Sequence, residues 1–158
     1  MAMQYDVKSK HLSASGVAYG SRTRLKGAIL SANAAAAARN VLFMDDDPQT
    51  GTYSITTTTL TVTVANNLVA GDRVWLDFTS GSAVDGAYTV VSANATSFTV
   101  TTAASGTGDV TVYLTVLLEA DSYNAVAYSI LVPGEGILAP NGIYVGLPAN
   151  ITATTFYG

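Results

Sequence analysis

The chain has 158 residues, of which 49% are hydrophobic and only 11% charged, with a mean hydropathy of +0.33. That balance excludes a disordered polyelectrolyte, and the absence of cysteine excludes a disulfide framework or a thiolate metal site. The net charge of −4 hides an asymmetry: residues 1–39 carry six basic side chains against one acid, and the remainder carries one against ten.

Val, Ile, Thr, Tyr and Phe dominate the patterned segments, with Gly, Asn, Asp and Ser between them, so the whole chain reads as β. The first expected strand is 4–12. Its approach, MAMQYDVKSKH, has charges but no apolar stretch behind them, so no secretory signal is expected and folding inside a cell is. Strands at 22–30 and 40–44 follow, on either side of the alanines at 34–38. That tract suits one helical turn or a close-packed β segment. It is far shorter than the roughly 20 apolar residues of a membrane span, so no membrane partner is expected. The run Asp45-Asp46-Asp47-Pro48-Gln49-Thr50-Gly51 is polar and rich in turn formers, as a junction between units should be.

Strands are next expected at 53–64, 72–78, 87–92, 96–101 and 109–118. Leu60, Val62 and Val64 share one parity and Thr59, Thr61 and Thr63 the other. Val74, Leu76 and Phe78, Tyr88 and Val90, and Phe98 and Val100 repeat the alternation of half-buried antiparallel strands. Turn signals separate them, among them Asp85-Gly86 and Gly106-Thr107-Gly108. Residues 52–113 thus read as a closed five-stranded unit. The last expected strands are 124–132, 142–146 and 150–157. The N- and C-terminal flanks together offer about six strands, and neither alone covers both faces of a sheet. The simplest organisation is a discontinuous host domain, 1–45 with 114–158, carrying an inserted β-module at 46–113. Tandem domains are the alternative.

Chemistry has little to work with. His11 is the one histidine and has no triad partner in view, and the G-x-S-x-G elbow is absent. Asp45-Asp46-Asp47 lacks the alternating spacing of a calcium loop and reads as solvated turn residues, with a weak cation site or a contact to basic neighbours as the alternative. Glu119 and Asp121 share a strand face, without the cross-cleft pairing that glycosidase chemistry needs. Pro133-Gly134-Glu135-Gly136 lacks a Walker lysine and reads as a tight turn. No catalytic residue, metal or cofactor is expected, and the chain is not expected to be an enzyme. The candidate residues are instead those of a partner interface: Lys8 and Lys10, then Arg22, Arg24 and Lys26, each set sharing strand parity. Trp75 joins them, since its parity opposes Val74 and Leu76. It is either an outward anchor or packed beneath a loop. The basic side chains are too spread, with too little aromatic interleaving, to suggest nucleic acid.

Two resemblances arise from these residues. Leu68, Gly71-Asp72, Val74 to Phe78, Asp85-Gly86-Ala87-Tyr88-Thr89-Val90 and Phe98-Thr99-Val100 resemble a small β-module recurring in phage structural proteins. The flanking stretches VKSKHLSASG, SRTRLKGAIL, LVPGEGI and ITATTFYG resemble small virion proteins of short-tailed marine bacteriophages. The resemblance implies a jelly-roll-like antiparallel sandwich with the inserted β-sandwich or barrel lobe. It implies a virion structural protein, assembled in the host cytoplasm as symmetric copies, with the major capsid protein or tail proteins as partners. A capsid decoration (cement) protein is the first expectation. A tail ring or fibre-associated protein, or a receptor- or glycan-binding adhesin module, is the alternative.

Overall fold

A computed structural model describes residues 7–32, 39–122 and 126–158. The alanine tract, the start of the first expected strand and residues 123–125 lie outside them. The described residues contain strands and turns only. The chain divides into two compact units, Met1–Asp46 with Leu117–Gly158, and Asp47–Val116. The boundaries lie one and three residues from those read in the sequence.

The host unit begins with β1 (Lys8–Leu12), β2 (Gly16–Tyr19), β3 (Thr23–Ala32) and β4 (Asn40–Asp45). The insert supplies β5 (Gln49–Thr56), β6 (Thr59–Thr63), β7 (Arg73–Phe78), β8 (Gly86–Thr89), β9 (Ser92–Asn94), β10 (Ser97–Thr101) and β11 (Gly106–Tyr113). The host resumes with β12 (Val116–Asp121), β13 (Tyr128–Leu131), β14 (Ile137–Ala139), β15 (Ile143–Gly146) and β16 (Ile151–Tyr157).

The host is a two-sheet sandwich, with orders β1-β16-β3-β13 and β12-β4-β15-β2. β14 also pairs with β3, so β13 and β14 act as one strand interrupted by the turn at Pro133–Gly136. Counted that way, the first strand pairs with the last, the second with the seventh, the third with the sixth and the fourth with the fifth. This is a long hairpin rolled up so that alternate pairs fall in alternate sheets, which is a jelly roll. The insert leaves from the tip of that hairpin, between β4 and β12.

Alternation explains the host core. In β16, Ile151, Ala153, Thr155 and Tyr157 are buried, while Thr152, Thr154 and Phe156 face away. Leu25, Ala28 and Leu30 of β3, Phe43 of β4 and Ile143 and Val145 of β15 complete the same cluster. Tyr19 stacks on Tyr157 with ring centroids 4.8 Å apart, an arrangement that adds to simple burial. β4 is buried from Val41 to Asp45, because Leu42 and Met44 on its second face are buried as well. Continuous apolar runs of this kind mark strands covered on both faces.

The insert is one curled sheet, ordered β8-β7-β11-β5-β6-β10-β9. Its two end strands, β8 and β9, are consecutive in sequence, separated by Val90 and Val91. Val90 N–H donates to Asp72 O at 2.9 Å on one side, and Val91 N–H to Thr99 O at 2.8 Å on the other. The sheet therefore closes towards itself at that point, which removes exposed edges. Inside lie Tyr53, Leu60, Val62, Val74, Leu76, Phe98, Val100, Val110 and Val112. The insert has seven strand segments where five were expected. The expected strand 53–64 is a hairpin that turns at Thr57, whose φ is +61°. The expected strand 109–118 is divided between the end of β11 and the start of β12.

The aspartate triplet is not simply solvated. Asp45 ends β4 at 5% exposure. Its carboxylate accepts the Asn141 backbone N–H at 3.0 Å and the Asn141 side-chain amide at 2.7 Å, pinning the turn that leads into β15. Asp45→Ala strands both donors, and should cost about 2–3 kcal/mol. The measurement is a lower urea midpoint with an unchanged m-value. Asp45→Asn, which keeps one acceptor, should lose less.

Candidate assembly interface

Among the described residues no group of three or more His, Asp or Glu side chains is placed to hold a metal ion. His11 lies on an exposed strand face, its Nδ1 3.1 Å from Thr154 Oγ1. The Pro133–Gly136 segment is a turn, with positive φ at Gly134 and Gly136. At Gly136 a side chain would be doubly disfavoured, because its Cβ would sit 2.5 Å from Leu25 O.

What the fold does assemble is one sheet surface. The stretch 7–16 contains β1, 21–30 contains most of β3, 131–137 runs from the end of β13 through the turn to the start of β14, and 151–158 contains β16. These segments, separated by up to more than a hundred residues in sequence, are neighbours in the β1-β16-β3-β13 sheet. Register defines the face turned away from the core. Ser9 lies opposite Phe156 and His11 opposite Thr154. Phe156 lies opposite Gly27 and Thr154 opposite Ile29. Leu131 lies opposite Gly27 and Ser129 opposite Ile29, and Leu138 lies opposite Arg24.

The expected basic residues all belong to this sheet or its margin, but they do not form one row. Lys8 and Lys10 pair with the core-facing Tyr157 and Thr155, yet both are exposed because β1 is the sheet's edge. Inward-pointing lysine on an edge strand discourages further strand pairing. Arg22 is exposed on the bend before β3. Arg24 faces outward, and its guanidinium donates to Gly136 O at 3.2 Å. Lys26 donates through Nζ to Glu135 O at 2.9 Å. Lys26 also sits where the register slips, since Phe156 pairs with Gly27 and Tyr157 with Leu25. That bulge reverses the parity of β3, so the outward residues beyond it are Ile29 and Ser31.

Sequence reasoning missed the apolar part of this face. Leu131 is 86% exposed, Ile29 and Leu138 are exposed, and Phe156 is half-buried. The available signal was Tyr128-Ser129-Ile130-Leu131, in which a leucine takes the outward parity. Trp75 does not belong to the surface. It is 1% exposed, and its indole N–H has no hydrogen-bond partner. It pairs with Tyr113 and Ala87 on its neighbouring strands, so it is a buried packing residue and not an outward anchor.

The units also re-sort the charge. The host balances six basic residues against six acids, whereas the insert has Arg73 against five aspartates. The basic N-terminal stretch is thus compensated within its own domain. Comparison with protein-family models, curated proteins and solved structures finds no match for this chain.

Proposed function

We propose that this chain is a structural protein of a tailed-bacteriophage particle, an accessory decoration protein of the capsid built in as symmetric copies. Its partners are then other phage structural proteins, the major capsid protein or tail proteins, and its place is the virion. The observation that supports the reading is the exposed, partly apolar outer face of the β1-β16-β3-β13 sheet, on which the four stretches that carry the resemblance lie together. Jelly rolls serve capsid proteins, lectins and cupins alike, so the fold alone does not decide the matter. An apolar patch rimmed by polar groups is the ordinary mark of a protein contact. A tail-ring position would use the same surface. The adhesin alternative calls for aromatic side chains grouped in a groove. One open depression of about 470 Å³ in the insert has no aromatic lining and includes Asn67, Leu68, Asp72, Arg73 and Leu114.

Changing Arg22, Arg24 and Lys26 together to Gln should weaken incorporation into particles without unfolding the protein. All three side chains lie at least partly in solvent, so the fold does not depend on them while the rim loses its charge. Incorporation should also fall as salt rises, because exposed charges are screened beyond about 8 Å at physiological ionic strength. Normal incorporation of the folded triple variant would refute a role for this surface in docking.

A further inference from the structure

We propose that Asn141 is a self-modification site, an asparagine that deamidates slowly in the folded chain and opens the turn into β15 as it does so. Asn141 is exposed on a bend and is followed by Gly142, the one Asn-Gly pair in the chain. Deamidation begins when the backbone nitrogen after an asparagine attacks the side-chain amide carbon, and a following glycine leaves that nitrogen unhindered. Here the fold itself demands the glycine. Gly142 has a φ of +137°, and a Cβ there would collide with Tyr19 O and press on Asp46 and Gly20. The host therefore cannot exchange the residue that makes Asn141 reactive.

The chemistry balances with water alone. Gly142 N bonds to Asn141 Cγ, the Cγ–Nδ2 bond breaks, and the proton of the Gly142 N–H leaves with the amide as ammonia. Water then opens the cyclic imide at either carbonyl, giving aspartate or isoaspartate at 141. Asp45 checks the first step. Its buried carboxylate accepts the Asn141 backbone N–H at 3.0 Å and the Nδ2 amide at 2.7 Å. Both donors reach one carboxylate, so the amide is fixed beside its own N–H and is not free to turn towards Gly142. Once the reaction has occurred, the same carboxylate opposes its product. A donor is replaced by an anionic oxygen, and two like charges meet at hydrogen-bond distance. In the isoaspartate form the main chain also gains a carbon just before β15, whose four residues are all buried. The clamp thus becomes a wedge, in one direction only.

The test is peptide mapping by mass spectrometry of the purified full chain held in warm, mildly alkaline buffer, with enzymatic methylation to detect isoaspartate. Asn141 should convert in the folded wild type, more slowly than in the urea-unfolded chain. Asp45→Ala should speed the conversion several-fold, and Asp45→Asn, which keeps one acceptor, should fall between. Phe43→Ala weakens the host without touching the clamp, and should react more slowly than Asp45→Ala. Asn141→Asp should show a lower urea midpoint than Asn141→Ala, because repulsion is added to the lost hydrogen bond. An Asn141 that stays intact in the folded chain long after the unfolded chain has converted would overturn the proposal. So would Asp45 variants reacting at the wild-type rate, Phe43→Ala reacting as fast as Asp45→Ala, or Asn141→Asp matching Asn141→Ala in stability. None of these readouts uses particles, so failure here is separable from failure of the virion reading, which incorporation measures.

Discussion

Replacing Phe43 with alanine is expected to remove about 3–5 kcal/mol of stability, a large share of the roughly 5–15 kcal/mol that holds a domain folded. Phe43 is fully buried in β4, and it packs in the host core with residues from both sheets of the sandwich. Truncation leaves a cavity as well as losing apolar burial, and the ladder of β4 with β15 restrains collapse into it. Urea unfolding followed by far-ultraviolet circular dichroism should show the lower midpoint. A loss below about 1 kcal/mol would mean that the host core is not built around this strand.

Trp75 should divide two readings of one residue. Trp75→Ala is expected to cost about 3–5 kcal/mol, as removal of a large buried aromatic does. Trp75→Phe should cost far less, because it also removes an indole N–H that is buried without a partner, a group whose burial costs about 1–3 kcal/mol. Both variants should leave docking intact at temperatures where they are folded. An outward anchor would behave in the opposite way, with stability preserved and binding lost. Thermal unfolding beside particle incorporation separates the two outcomes.

Strand alternation was legible wherever one face is buried and the other wet. Leu60, Val62 and Val64 point into the insert as their parity requires, and so do Val74 with Leu76 and Phe98 with Val100. The pattern failed where a backbone event carries no residue signature. The β5–β6 turn is made by threonines, with positive φ at Thr57 and no glycine or asparagine to announce it, so 53–64 reads as one strand. β2 and β14 are only four and three residues long, too short for a period to show. The bulge at Lys26 reverses parity within β3, so Arg24 and Ile29 share a face that simple counting assigns to different sides. Trp75 has the parity of a solvent-facing residue, but the second face of its strand is buried at that point. Parity places a side chain on a face; it does not say whether that face is covered. Likewise, the charge excess of residues 1–39 looked like a basic end. Within the host, Asp45 and Asp46 at the end of β4 and Glu119, Asp121 and Glu135 of the C-terminal part supply the compensating acids.

The most direct measurement is a cryo-EM reconstruction of purified particles, with mass spectrometry to establish that the chain is present. The expected map shows symmetric copies whose β1-β16-β3-β13 sheet turns its outer face, with Leu131, Leu138 and Ile29, towards neighbouring protein. Absence of the chain from the particles, or copies in which that face stands open to solvent throughout, would contradict the proposed role.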